Sequence, residues 1–273
     1  MNRRASFASV GLLLAAAPFL QSHASEKPPI ATPMTWTIGG IVREAMVVVP
    51  ESAHQKPSPV IFVFHGHGGT MNRMINLGYQ NLWPEAVIIC PQGLATVTGR
   101  DPAGLRSGWQ QKVGDSGDRD LEFVDAMLTT VRDKYKVDDS HVFATGHSNG
   151  GGFTYLLGAA RPKDFAAIAP SAAGGRGFRE AKHPLPVLHI AGRKDETVAF
   201  GNQQDTVERI RTFNGCEPDG KPWAKAGDLV GTIYPSKAGT AVVWVEHPGG
   251  HKNPDTAPEL IVRFFKEQAG RKK

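Results

Sequence analysis

A serine between glycines lies near the middle of the chain, in residues 145–151, "TGHSNGG". An apolar, β-leaning run precedes Ser148 and a helix-like run follows it, so the serine falls where a strand gives way to a helix. Glycines permit the sharp turn that such a junction needs, and this turn lifts the hydroxyl above the sheet edge. A hydroxyl presented in this way is suited to attack on a carbonyl carbon. The same pattern also occurs as a simple turn, so partners must be found elsewhere in the sequence.

Two further reactive side chains follow apolar runs of strand length. Asp195 comes after "VLHIAGRK" and His251 comes after "VVWVEHPGG". Ligands of an open parallel sheet bind beyond the carboxyl ends of its strands, so these side chains are expected to meet Ser148 at one edge. The histidine would take the serine proton and return it to the leaving group, and the aspartate would orient the imidazole. We predict a catalytic triad of Ser148, His251 and Asp195.

Each partner of the serine has a neighbour that could replace it. Glu196 adjoins Asp195, and His247 lies four residues before His251. The spacing Gly-x-x-Asp-x-x-Val favours Asp195, and the two glycines before His251 favour that histidine because they let the loop fold back over the serine. Both alternatives stay open on the sequence alone.

A glycine-rich segment, residues 64–69 ("FHGHGG"), follows another apolar run. The developing oxyanion of an acyl transfer needs preset donors, and the backbone amides of His67 and Asn149 are predicted to supply them. His65 is interpreted as a satisfied histidine under this loop rather than a proton shuttle. His147 is interpreted as a packing residue.

Trp109 and Phe153 are the candidates for substrate binding. Residues 94–117 follow a strand end and are expected to lie beside Ser148, with Trp109 as their one large aromatic side chain. An indole in that place could stack on an aromatic acyl group. For both residues a place in the core or at the rim is an equal alternative.

Short apolar runs alternate with helical periodicity from Pro59 onward. This alternation predicts one α/β domain with a doubly wound, mostly parallel sheet flanked by helices and without a separate lid domain. Two earlier segments, "MTWTIGG" and "REAMVVVPE", predict an antiparallel hairpin at one sheet edge. Residues 94–117 and 215–239 are predicted to be long irregular loops. The expected strands are "PVIFVFHG", "AVIICPQG", "HVFATGHS", "FAAIAPSAA", "PVLHIAGR" and "AVVWVEHPG".

The first 24 residues have the order of a secretory signal peptide: two arginines, an apolar run and small residues at Ser22 and Ala24. Cleavage is expected after Ala24, which leaves residues 25–273 as the catalytic domain. The protein is then expected to be secreted or periplasmic, with no stable membrane insertion after cleavage. An uncleaved anchor is the alternative.

Composition narrows the remaining function classes. The 273 residues are 40% hydrophobic and 21% charged, which is typical of a soluble globular protein. The formal net charge is +5 and falls to +3 without the two signal-peptide arginines, and no basic stripe with interleaved aromatics occurs, so no nucleic acid partner is expected. The two cysteines, Cys90 and Cys216, show no metal-ligand spacing. We expect no metal, no cofactor and no dependence on a disulfide, although a single bridge stays open.

Four segments also carry a family resemblance: "FHGHGG", "GHSNGG", "GRKDETV" and "HPGGH". They resemble motifs of the secreted polyhydroxybutyrate depolymerase and feruloyl esterase family of α/β-hydrolases, over roughly residues 35–265. The resemblance implies an α/β-hydrolase fold and hydrolysis of carboxylic esters, commonly feruloyl or acetyl groups on plant polysaccharide or short hydroxyalkanoate esters. Whether the ester is polymer-borne is left open.

Two departures from the family pattern concern the substrate rim. Family members often have a tryptophan shortly after the catalytic histidine, where this chain has residues 252–254, "KNP", and many pair a cysteine like Cys216 with one near "YPSKAGT". The leading prediction is a secreted serine esterase that forms an acyl-enzyme and acts on feruloyl or related polysaccharide esters. One alternative is an esterase for poly(3-hydroxybutyrate), short hydroxyalkanoate or acetyl esters. An alternative from another class is a catalytically weak polymer-binding protein on a hydrolase scaffold.

Overall fold

The structure, a computed structural model, describes residues 30–269. Within this range the chain forms twelve strands, six α-helices and three short 3-10 turns. The strands are β1 (Thr32–Ile38), β2 (Ile41–Val48), β3 (Ser58–Phe64), β4 (Val87–Pro91), β5 (Leu94–Ala95), β6 (Ser107–Gly108), β7 (Val137–His147), β8 (Ala167–Ser171), β9 (Val187–Gly192), β10 (Lys221–Ala226), β11 (Leu229–Tyr234) and β12 (Val242–His247). The helices are α1 (Met71–Ile75), α2 (Tyr79–Leu82), α3 (Arg119–Lys134), α4 (Asn149–Ala160), α5 (Phe200–Phe213) and α6 (Ala257–Ala269).

Ten of these strands form one sheet in the order β1-β2-β4-β3-β7-β8-β9-β12-β11-β10. The six central strands, β4 to β12 in this order, are parallel, and antiparallel pairs extend both edges. The predicted doubly wound, mostly parallel sheet is therefore confirmed, as is the hairpin of β1 and β2 at one edge.

Helices cover both faces of the sheet because its central strands are apolar on both sides. Phe62 and Phe64 of β3 pack in the cluster that α3, α4 and α5 cover. Ile61 and Val63 of the same strand pack in the opposite cluster, beneath α1, α2 and α6. Successive strand residues point to opposite faces, so a continuous apolar run is what a strand in the middle layer requires.

Two segments depart from the predicted irregular structure. Residues 215–239 contain β10 and β11, which continue the sheet beyond β12 with Thr232 opposite Trp244. Lysine, proline and glycine interrupt any apolar run in these strands, and the open edge of β12 supplies the pairing that their own sequence does not predict. Residues 94–117 contain the short β5–β6 pair, in which Leu94 lies opposite Gly108.

Cys90 and Cys216 are both free thiols in the structure. Cys90 is fully buried on β4. Within residues 30–269 no helix has the length and hydrophobicity needed to cross a membrane. The predicted signal peptide, residues 1–24, lies outside the described residues.

Candidate active site

The junction of β7 and α4 holds Ser148 in an unusual backbone conformation, with φ 56° and ψ −118°. Positive φ is costly for a residue with a side chain, by about 1–3 kcal/mol, and persists only where the surroundings enforce it. The flanking glycines allow the backbone of the turn to approach neighbouring carbonyl groups closely. A Cβ on Gly146 would lie 2.5 Å from the Gly150 carbonyl oxygen, and one on Gly150 would lie 2.5 Å from the His65 carbonyl oxygen. Only glycine permits these approaches, so the sequence around Ser148 dictates the sharp turn.

The structure brings the three residues of the predicted triad into one hydrogen-bonded row. His251 Nε2 lies 2.8 Å from Ser148 Oγ. His251 Nδ1 lies 2.9 Å from Asp195 Oδ2 and 3.0 Å from Oδ1. Because the carboxylate is ionised, Nδ1 carries the ring proton and donates a hydrogen bond to Asp195. Nε2 is then unprotonated and can accept a hydrogen bond from the serine hydroxyl.

Asp195 is held in a fully enclosed position, with none of its side chain exposed. Its Oδ1 accepts hydrogen bonds from the backbone amides of Thr197 and Val198 at 2.8 and 2.9 Å. Burial alone raises the pKa of this carboxyl, but hydrogen bonds from the His251 ring and from these amides outweigh it, and the pKa lies below its usual value. The carboxylate therefore stays ionised at neutral pH.

The two alternative partners lie elsewhere. Glu196 is exposed to solvent. His247 ends β12, is buried, and accepts a hydrogen bond from the Gly249 amide at its Nδ1. Neither side chain forms a hydrogen bond with Ser148 or His251 among the described residues, so the geometry favours Asp195 and His251 over both alternatives.

The amides predicted to receive the oxyanion belong to the loop after β3 and to the start of α4. Asn149 is the first residue of α4, so its amide has no intrahelical acceptor. Neither this amide nor that of His67 donates a hydrogen bond to any acceptor within residues 30–269. The His67 ring is tied back, with Nε2 3.1 Å from Asp101 Oδ2. The Asn149 side chain accepts from the Trp109 amide at 2.7 Å and donates to its carbonyl at 3.1 Å.

His65 is completely buried beneath this loop and its ring is fully hydrogen-bonded. Its Nε2 accepts from the Gly93 amide at 2.9 Å, and its Nδ1 donates to the Gly66 carbonyl at 2.8 Å. Burial lowers the pKa of His65, which keeps the ring in this neutral form. The residue shapes the loop that carries the His67 amide.

The structure corrects the expectation that Trp109 and Phe153 contact substrate. Both side chains are 0% exposed and their rings stack with centroids 5.4 Å apart. The Trp109 indole nitrogen donates to the His65 carbonyl at 2.9 Å. Strand β6 ends at Gly108, and the ring of Trp109, the next residue, packs in the core beside Phe64. Trp109 and Phe153 therefore pack in the core next to the turn that holds Ser148.

Truncation of Trp109 is therefore expected to cost stability rather than substrate selectivity. Trp109→Ala should lower the free energy of unfolding by about 3–5 kcal/mol, the usual cost of removing a buried tryptophan. It should also lower kcat/KM by a similar factor for aromatic and acetyl esters, because it removes the indole that bonds to the His65 carbonyl and stacks on Phe153 of α4. Urea unfolding and steady-state kinetics measure the two effects.

Trp83→Ala is the matched control, since Trp83 is 8% exposed and packs in the opposite core cluster. It should lose stability while its kcat/KM stays near that of the unaltered enzyme. A stable Trp109→Ala protein with a tenfold loss confined to aromatic esters would restore the stacking role.

His147 has a part that the sequence interpretation missed. Its Nε2 donates to the backbone carbonyl of His251 at 2.7 Å, and the two rings meet edge to face at 4.9 Å. A second tie runs from Asn253 Nδ2 to Ser171 Oγ at 2.8 Å, and that hydroxyl donates to the Gly146 carbonyl at 3.2 Å. Hydrogen bonds thus connect the loop that carries His251 to the turn of Ser148 at two points. The position of His147 directly before the serine is the only sequence signal for this contact.

No group of three or more histidine, cysteine, aspartate or glutamate side chains that could hold a metal ion occurs within residues 30–269. The polar groups gathered at the site are a serine hydroxyl, an imidazole, an ionised carboxylate and backbone amides. Chemically, this set is suited to acyl transfer.

Known proteins resemble this chain in sequence and in fold. No protein-family model matches the chain. A probable feruloyl esterase C from Aspergillus flavus is 31% identical over 234 residues, which cover 82% of this chain and 83% of the relative. Feruloyl esterase C from Emericella nidulans is 31% identical over 268 residues, 93% of this chain and 96% of the relative. Among solved structures, an acetyl xylan esterase from Aspergillus awamori superposes with a TM-score of 0.67 at 16% identity, over 86% of this chain and 99% of that one. This last likeness shows a shared fold.

Proposed function

Because the chain belongs to the feruloyl esterase family of α/β-hydrolases and is a serine carboxylic ester hydrolase, we propose that Ser148, His251 and Asp195 are its catalytic residues. The observation that carries this proposal is the 2.8 Å separation of Ser148 Oγ and His251 Nε2 at a strained turn. A catalytically weak binding protein has no need to maintain that strain. The intact row of three residues therefore supports an active enzyme.

In the proposed reaction Ser148 Oγ attacks the carbonyl carbon of the ester while its proton passes to His251 Nε2. The buried Asp195 carboxylate stabilises the imidazolium that forms. The tetrahedral intermediate then expels the alcohol, whose oxygen receives the proton from Nε2, and an acyl-serine remains. Water attacks this ester with His251 as base, which releases the carboxylic acid and restores the serine hydroxyl.

The backbone amides of Asn149 and His67 are proposed to bind the oxyanion of both tetrahedral intermediates. Support comes from their lack of another acceptor among the described residues. The fixed position of Asn149 through Trp109, and of the loop through His65, keeps these donors oriented before substrate arrives. One such donor typically contributes about 3–4 kcal/mol to transition-state stabilisation.

For the substrate, we propose feruloyl esters on plant polysaccharide. The names of two relatives at 31% identity support this acyl group. The burial of Trp109 favours a second candidate, a short acetyl or hydroxybutyryl ester, because it removes the aromatic wall that the sequence suggested. Neither candidate needs a cofactor in the mechanism above.

A screen with esters of one alcohol tests the substrate proposal, because only the acyl group then varies. Feruloyl, acetyl, butyryl and hydroxybutyryl esters are compared, with Ser148→Ala as the blank. The feruloyl ester should show the highest kcat/KM. A tenfold preference for the acetyl or hydroxybutyryl ester would establish the second candidate, and the absence of turnover on every ester would contradict the function.

Export and a single catalytic domain over residues 25–273 complete the proposal. The charged, apolar and small-residue order of residues 1–24 supports a cleaved leader. Intact-mass measurement of the protein purified from the native host should give a chain that begins at Ser25 and is recovered outside the cytoplasm. A full-length chain beginning at Met1 in the membrane fraction would instead establish an anchor.

A further inference from the structure

Three buried polar side chains continue the catalytic row behind Asp195. Tyr155 of α4, His189 of β9 and Gln203 of α5 are each 0% exposed. Gln203 Nε2 lies 3.0 Å from Asp195 Oδ2, His189 Nε2 lies 2.8 Å from Gln203 Oε1, and the Tyr155 hydroxyl lies 2.7 Å from His189 Nδ1. We name Tyr155, His189 and Gln203 the support network.

The support network ends at the Asp195 carboxylate, which can only accept hydrogen bonds, and this sets the direction of every hydrogen bond in the network. Asp195 and the Val198 carbonyl can only accept, so the Gln203 amide nitrogen faces them, at 3.0 and 2.6 Å. The amide oxygen of Gln203 then faces His189, whose Nε2 must carry the proton. His189 Nδ1 is left as an acceptor, and the Tyr155 hydroxyl donates to it.

The ionisation states of the support network agree with this direction. Burial lowers the pKa of His189 to about 4, so the ring is neutral and has one donor and one acceptor. Burial also raises the pKa of Tyr155 well above its usual value, so the hydroxyl keeps its proton. The donors therefore point one way, from tyrosine through histidine and glutamine to the carboxylate.

We propose that Gln203, oriented by His189 and Tyr155, is a positioning residue that fixes the Asp195 carboxylate for its bond to His251. The Thr197 and Val198 amides hold Oδ1, whereas Gln203 provides the side-chain donor to Oδ2. Both oxygens also lie within 3.0 Å of His251 Nδ1. Without Gln203 the carboxylate could rotate about its terminal bond, and the imidazolium would lose part of its stabilisation.

Gln203→Met tests this role because it keeps the length of the side chain and removes its donor. The expected result is a fall in kcat of about ten- to a hundredfold, the range for one hydrogen bond to a charged group, with KM within twofold. The acid limb of kcat/KM should also move to lower pH, because a less stabilised imidazolium loses its proton more readily. If Gln203 only packed in the core, Gln203→Met would change the stability of the protein and leave the acid limb of the kcat/KM profile at the same pH.

Gln203→Glu adds a second signature. At low pH the new carboxyl is protonated, so it can still donate to Asp195 and accept from His189. At higher pH two carboxylates would face each other in a buried site, which raises the pKa of the pair and displaces Asp195. The ratio of its activity to that of the unaltered enzyme at the same pH should therefore rise as the pH falls. The titratable groups around this pair are His251, which bonds to Asp195, and His189, which bonds to Gln203. Asp195 also acts through space on His147 and His247, and Arg209 acts on Tyr155.

Gln268 offers matched control variants, since its amide is 8% exposed on α6 and bonds to the Phe264 carbonyl. Gln268→Met and Gln268→Glu should leave kcat and the pH profile unchanged. If the Gln203 variants do not fold, Tyr155→Phe decides. It removes one hydroxyl and should lower kcat about two- to tenfold, with the acid limb shifted in the same direction.

The inference rests on the proposed role of Asp195, so Ser148→Ala is measured alongside. Activity in Ser148→Ala would overturn the proposed function whatever the Gln203 variants do. An inactive Ser148→Ala together with normal kcat and pH profiles in Gln203→Met and Tyr155→Phe would overturn this inference alone.

Discussion

Ser148→Ala should lower kcat for carboxylic esters by a factor on the order of 10⁶, because nucleophile and base act as one unit and neither works without the other. The substitution removes only the oxygen that lies 2.8 Å from His251 Nε2. The strained turn is enforced by the glycine approaches and by the Ser148 amide, which donates to the Ser171 carbonyl at 2.9 Å. The variant should therefore fold, and its circular dichroism and melting temperature should match those of the unaltered enzyme.

Ser171→Ala is the control for this result. Ser171 ends the neighbouring strand β8, and its hydroxyl is bonded to the Asn253 side chain and the Gly146 carbonyl rather than to a histidine. Its loss should lower kcat by no more than about tenfold, the effect of one weakened tie. If Ser171→Ala were as inactive as Ser148→Ala, the loss of activity would not distinguish the two serines, and the proposal that Ser148 is the nucleophile would fail.

The second large effect concerns the base. His251→Ala should be about as damaging as the loss of the nucleophile, whereas His247→Ala should retain most of the activity. His251 lies between the serine hydroxyl and the Asp195 carboxylate, and 26% of its side chain is exposed toward the site. His247 instead bonds to the Gly249 amide, so its removal should loosen the turn and lower stability modestly.

Single-turnover kinetics with a chromogenic ester separates acylation from later steps in both histidine variants. His251→Ala should show no burst of released alcohol on the time scale of the unaltered enzyme, and His247→Ala should show a full burst. The reverse pattern would transfer the base to His247, the alternative that the sequence left open.

Much of the fold follows from the sequence because its central strands are continuous apolar runs. Strand β3 and residues 142–146 of β7 are buried on both faces, so the same pattern that predicts each strand also predicts its place in the middle of a parallel sheet. The positions of Ser148, Asp195 and His251 just beyond strand ends then predict that they meet. Topology brings these residues to one edge, which is why sequence order alone gave candidates for the site.

What the sequence did not predict depends on contacts that have no local signature. Strands β10 and β11 form on an edge supplied by β12. Trp109 is an aromatic residue in a loop, and only the path of that loop decides whether its ring enters the core. His147 and Gln203 are ordinary polar residues in sequence, and their roles arise from distant partners, the His251 carbonyl and the Asp195 carboxylate.

Covalent labelling with a fluorophosphonate ester tests the central proposal most directly. A serine made nucleophilic by its histidine displaces fluoride at phosphorus and forms a stable adduct that resembles the tetrahedral intermediate. Peptide mass spectrometry should find one phosphonyl group per chain, on the peptide that contains Ser148, and none in Ser148→Ala or His251→Ala. A label on another residue, or ester hydrolysis that continues while Ser148 stays unlabelled, would contradict the assignment of Ser148 as the nucleophile.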